Sequence, residues 1–132
     1  MEIVRRFFQD SLTRDPQSDA TWRDALDLVH QDFEYREDPR WPGAGTYKGI
    51  AAFQEVVSGY FEALGEMVLE AEEIIDAGDC VVALIRFWAR GASGAEAVML
   101  QAGIFTVRDG KIATWQVVFD RAEALEAVGR SE

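Results

Sequence analysis

The chain has 132 residues, enough for one domain with a substantial buried core. It carries 24 Asp and Glu against 13 Lys and Arg, a formal net charge of −11. That balance argues against nucleic acid, whose phosphates are met by Lys and Arg, and against anionic membrane surfaces.

Residues 2–13 read as a helix, with Ile3, Val4, Phe7, Phe8, Ser11 and Leu12 at three-to-four spacing. Asp15-Pro16-Gln17-Ser18-Asp19 breaks it. A second helix begins near Asp19 or Thr21, carries Trp22, Ala25, Leu26 and Val29 on one face, and closes at His30-Gln31-Asp32. Residues 33–37 follow as a short strand, and 38–48, holding two prolines and two glycines, as a loop. Gly49 opens a longer helix whose Ile50, Phe53, Val56, Val57, Tyr60, Phe61 and Leu64 form a broad apolar stripe. The period then changes. Residues 67–76, 80–90, 95–107 and 111–119 read as strands, separated by short glycine-containing turns that imply antiparallel hairpins. Residues 120–128 form a last short helix stopped by Gly129. Helices first and a strand meander second predict an α+β domain, with N-terminal helices packed on a curved antiparallel sheet. A sheet curled around helices leaves a cone whose open end is a pocket.

Several chemistries are excluded by residue type. Cys80 is the only cysteine and His30 the only histidine, so neither an internal disulfide nor a zinc site of the usual ligand set is expected. No nucleophile elbow, phosphate-binding glycine loop or dinucleotide fingerprint occurs, and no cofactor is expected. No apolar run spans a bilayer, and Met1-Glu2-Ile3-Val4-Arg5-Arg6 does not read as a signal peptide, so a cytoplasmic protein is expected.

The most informative stretch is Glu37-Asp38-Pro39-Arg40-Trp41-Pro42. Asp38 sits beside aromatic residues at a strand end, where burial raises a carboxyl pKa and makes a general base. Asp and Pro also simply end strands, because both favour turns. Tyr35 and Trp41 flank this loop, as lining of a pocket mouth or as ordinary packing. His30 is either an acid that titrates near neutrality or a favourable charge at a helix end. Glu62, Glu66, Glu70, Glu72 and Glu73 read as a solvated face.

Element order, Tyr47-Lys48-Gly49-Ile50 entering the third helix, Asp109-Gly110-Lys111-Ile112 before the last strand, and the ending Phe119-Asp120-Arg121-Ala122-Glu123-Ala124-Leu125 resemble the NTF2-like superfamily. The resemblance is to its branch of ketosteroid isomerases and SnoaL-like polyketide cyclases, and it covers nearly the whole chain. It implies proton transfer on an apolar, carbonyl-containing small molecule. Asp38 matches the isomerase base, and Asp120 is similar to an acid/base aspartate of the cyclases. Asp120 equally suits an N-cap, with Glu123 three residues on. The isomerases' enolate-holding Tyr and protonated Asp have no counterpart, since Phe7 and Gly103 or Gln101 stand there. The same resemblance aims Gln101 inward, along with Trp115, Val117 and Phe119 of the last strand. Arg86 either faces outward with Trp88 and Arg90, on a sheet face through which a homodimer forms, or inward, where it pairs with Asp38. The alternatives to an enzyme are a ligand-binding module without catalysis and a protein-interaction module.

Overall fold

The computed structural model describes residues 2–9, 27–41, 43–91 and 93–129. Among them are the helices α1 (Glu2–Gln9), α2 (Ile50–Leu64) and α3 (Arg121–Ala127). The strands are β1 (Val29–Arg36), β2 (Thr46–Lys48), β3 (Glu66–Asp76), β4 (Val81–Arg90), β5 (Glu96–Arg108) and β6 (Lys111–Val118). They form one curved six-stranded sheet in the order β2-β1-β6-β5-β4-β3.

The meander β3 to β6 is antiparallel throughout, as its short turns require. At the β5–β6 turn both Asp109 (φ 54°) and Gly110 (φ 77°) adopt left-handed backbone, which matches the strand twist. β1 returns to pair with β6 in parallel, so the sheet is mixed. Tyr35 thereby lies opposite Trp115. Entry into β3 depends on Gly65, whose φ is 80° and whose position leaves only 2.6 Å between an added Cβ and the Arg90 carbonyl oxygen. Gly65→Ala therefore destabilises the domain by at least about 1 kcal/mol, measurable as a lower urea midpoint.

Two sequence expectations change, and a third lies partly outside the described residues. The second helix falls on residues outside the described ones up to residue 26, and the segment expected to close it, His30-Gln31-Asp32, lies in β1. The loop expected over 38–48 contains β2, which among the described residues pairs with β1. The first helix is described to Gln9, so residues 10–13 lie outside.

One face of the sheet packs against α1 and α2. Val4 and Phe7 of α1 and Phe53 of α2 are buried there with Phe33, Val81, Ala83, Ile85, Phe105, Ile112 and Trp115. The opposite face carries a smaller cluster, in which Ala124 and Leu125 of α3 cover Val82, Ala102 and Val118. Strand parity therefore holds: Val81, Ala83, Ile85 and Phe87 face the main core. Arg86, opposite Leu100 and Glu70 in the ladder, takes the outer face.

Candidate functional site

Between the inner sheet face, α2 and the loop after β1 lies a cavity of about 60 Å³, several times the space one water needs. Phe53, Val57 and Tyr60 line it from α2, Met67 and Leu69 from β3, and Phe87 from β4. Met99 and Gln101 come from β5, Trp115, Val117 and Phe119 from β6 and its end, and Tyr35, Glu37, Asp38 and Trp41 from β1 and beyond. Its surface is almost wholly apolar. Trp41 packs edge-on against Tyr60 and Phe119, at 6.2 and 6.0 Å between ring centroids. At the other end Trp115 stacks on Phe105 at 5.3 Å and meets Phe7 of α1 at 5.8 Å.

Of the residues singled out from sequence, Asp38, Tyr35, Trp41, Gln101, Trp115 and Phe119 all line this cavity. Asp120 and His30 do not. Asp120 caps α3, accepting hydrogen bonds from the amides of Ala122 (2.9 Å) and Glu123 (3.2 Å). This is the capping geometry that satisfies otherwise orphaned helix donors. Asp120→Ala should cost about 1 kcal/mol in denaturant unfolding and leave ligand affinity unchanged. His30 lies on β1, not at a helix end: its Nδ1 accepts from the Asp32 amide at 3.0 Å, and Asp109 stands 3.7 Å from Nε2. The helix-end reason for its charge therefore lapses.

Asp38 is buried, with 2% of its surface exposed, but its carboxylate is fully engaged. Arg40 grips it with two prongs, Nε to Oδ1 at 2.9 Å and Nη2 to Oδ2 at 2.7 Å. The amides of Arg40 (2.8 Å) and Phe119 (2.7 Å) donate to the same oxygens. Four donors on one carboxylate favour its charged form more than burial opposes it, and the pKa is held down at about 2. The partner considered from sequence, Arg86, is on the other side of the sheet; Arg40, two residues away, takes that place. Arg40 also reaches Glu123 of α3 at 3.3 Å. Asp38 thus works as a clasp between the loop, the end of β6 and, through Arg40, α3. A carboxylate held in this way has its pKa lowered, where its sequence context led to the expectation of a raised one.

Its neighbour Glu37 is held differently. Glu37 continues the inward parity of Phe33 and Tyr35. Its Oε1 accepts one hydrogen bond from the Gly45 amide at 3.2 Å, while its buried Oε2 has no partner among the described residues. Burial pushes its pKa up, partly offset by the Gly45 amide. The nearby Tyr35 hydroxyl is pushed up as well, by burial and then by the Glu37 charge, so it stays protonated. Trp115 Nε1 is also buried and without a partner among the described residues, and it lies against Gly103. An unpaired buried polar group costs about 1–3 kcal/mol, and such costs concentrate where a ligand later pairs them. Alternation along Phe33-Glu34-Tyr35-Arg36-Glu37 would have pointed to Glu37 from sequence.

A profile of the SnoaL-like domain matches residues 4–115. The chain belongs to the SnoaL-like domain family. No curated protein matches it. Among solved structures, TerC co-crystallized with polyporic acid is similar over 96% of this chain and 95% of its own, with 24% identity and a TM-score of 0.75. An NTF2-like protein of unknown function from Burkholderia pseudomallei K96243 is similar over 98% and 96%, with 18% identity and a TM-score of 0.72. A protein with a ketosteroid isomerase-like fold from Catenulispora acidiphila DSM 44928, in complex with trimethylamine, is similar over 98% and 93%, with 15% identity and a TM-score of 0.71. At these identities the likeness establishes the fold of this SnoaL-like chain, and its chemistry must be argued from its own cavity.

Proposed function

We propose that this SnoaL-like domain binds an apolar, carbonyl-containing small molecule in its cavity and performs acid/base chemistry on it through Glu37. The observation that carries the reading is the half-buried Glu37 carboxyl, with one oxygen that has no partner among the described residues and a raised pKa, at the wall of an aromatic cavity. As a base, Glu37 takes a proton from carbon next to the carbonyl, giving an enolate and a neutral carboxylic acid. Returning that proton to a different carbon completes an isomerisation; attack of the enolate carbon on a second carbonyl, whose oxygen takes the proton back from Glu37, completes a cyclisation. A raised pKa suits both halves, because the group must accept and then release a proton near neutral pH. Tyr35 and Gln101 orient the ligand, and Trp41 and Phe119 close the mouth over it.

Polyporic acid, found with TerC, is the first probe to try, with tryptophan fluorescence as the readout. Saturable binding together with substrate conversion that Glu37→Gln removes is the expected result. Conversion unaffected by Glu37→Gln would sink the reading. A binding module without catalysis is the second reading, and the full engagement of Asp38 favours it, since Glu37 then works without a second free carboxylate. Saturable binding with no product from any ligand tested would select it.

The same reading joins two copies through the outer sheet face. Val98 and Leu100 are each 52% exposed there, beside half-buried Trp88, beyond the area that α3 covers. Leu100→Glu should convert a dimer to a monomer in light scattering. A wild-type chain that is monomeric at micromolar concentration would contradict the pairing.

A further inference from the structure

The strap Asp38-Pro39-Arg40-Trp41 follows β1 along one wall of the cavity and is closed on itself. The Arg40 amide, Nε and Nη2 all donate to the Asp38 carboxylate, and the Trp41 amide donates to the Asp38 carbonyl at 2.9 Å. One cation and one anion are thus paired inside the strap, so it carries no net charge into or out of water when it moves. It joins β1 at a neck. There the Glu37 amide donates to the Gly45 carbonyl at 3.0 Å, and the Gly45 amide donates to the Glu37 carboxylate at 3.2 Å.

Among the described residues, two polar ties cross from the strap to the far side of the cavity. The Phe119 amide donates to Asp38 Oδ2 at 2.7 Å, and Arg40 Nη1 stands 3.3 Å from Glu123 of α3. Arg40 and Glu123 are both exposed, so their pair is weak and is screened by salt. Trp41 supplies the apolar tie, meeting Tyr60 and Phe119 at right angles. Trp41, Tyr60 and Phe119 all line the cavity, so the surfaces that part when the strap lifts are cavity walls. Glu123 is not among the lining residues. A segment bonded within itself and tied lightly to its surroundings is the kind of element from which lids are made.

We propose that residues 38–41 are a lid that lifts as one body about the Glu37–Gly45 neck. It carries the intact Asp38–Arg40 pair, withdraws Trp41 from Tyr60 and Phe119, and is latched to α3 by Arg40 and Glu123. This rests on the reading of the cavity as a ligand site, and it adds that an ion pair outside the cavity sets how often the wall opens.

Native-state hydrogen exchange of the full chain tests the lid without any ligand. The Phe119 amide lies past the end of β6 and bonds to Asp38, so its exchange reports the lifting directly. Its protection factor should be at least about tenfold below those of the bonded amides in the β5–β6 ladder. It should also be below those of the Arg40 and Trp41 amides, whose bonds stay inside the lifted strap. Glu123→Gln should lower Phe119 protection about two- to fivefold, the worth of an exposed ion pair. Salt at about 0.5 M should do the same to the wild-type protein and nothing further to the variant. The Ala122 amide, capped by Asp120, should be unchanged and so report that α3 is intact. Trp41→Leu should lower Phe119 protection about tenfold. Phe119 protection equal to that of the ladder, earlier exchange of the Arg40 and Trp41 amides, or no response to Glu123→Gln and salt would overturn the lid. The Glu37 reading fails separately: turnover that survives Glu37→Gln contradicts it whatever the exchange of Phe119 shows.

Discussion

Glu37→Gln is expected to lower turnover by about 10²- to 10⁴-fold, the usual worth of a positioned acid/base group, while raising stability at neutral pH. The two effects share one cause. Glu37 is half-buried, with one oxygen lacking a partner among the described residues and the hydrogen bond from Gly45 to offset the lost hydration. Gln keeps that bond and removes the charge. Linkage fixes the sign: a carboxyl whose folded pKa lies above its unfolded value makes the fold less stable as pH rises through that interval. The gain from Glu37→Gln is therefore absent below about pH 4, where both states are protonated, and complete above the folded pKa. Urea unfolding of the two proteins across pH measures it. A variant less stable than wild type at neutral pH would mean that Glu37 holds the fold together and does not strain it.

Asp38→Asn is expected to do the reverse. The carboxylate is held at about 2 against an ordinary 3.8, because Arg40 and the Phe119 amide bind its charged form. At about 1.4 kcal/mol per pKa unit, that clasp contributes about 2.5 kcal/mol at neutral pH. Here the folded pKa is depressed, so the contribution is present above the unfolded value and lost as pH falls from about 4 towards 2. The difference between wild type and Asp38→Asn should close in that window. Ligand binding should weaken only to the extent that the loop carrying Trp41 loosens. Loss of turnover without loss of stability would instead restore Asp38 to a catalytic role.

Adjacent carboxylates with opposite effects explain how much of the site was legible in the sequence. Turn residues, hairpin spacing and period-two alternation were enough for the meander; the family resemblance aimed Gln101, Trp115 and Phe119 inward, and all three line the cavity. The pairing of β1 with β6 was not legible, because a long-range parallel contact leaves no local trace. The polar start of β1 read as a helix end for a related reason: its register with β6 shifts between Val29 and Glu34, so alternation fails there. Three-residue β2 is too short to show a period. Within the site, attention fell on Asp38 because of its neighbours Pro39 and Trp41. Nothing local says that Arg40 folds back onto it. Glu37 was within reach, as the next inward position after Phe33 and Tyr35, but its importance lies in what is missing around Oε2, and an unmet hydrogen bond has no sequence signature.

The central claim is that the cavity's working carboxyl is Glu37 and that Asp38 is its structural neighbour. Direct titration of both side-chain carboxyl carbons by ¹³C NMR tests it in one experiment. Glu37 should titrate above the ordinary glutamate range and Asp38 near 2. An ordinary Glu37 beside an Asp38 that titrates above the usual aspartate range would contradict the account.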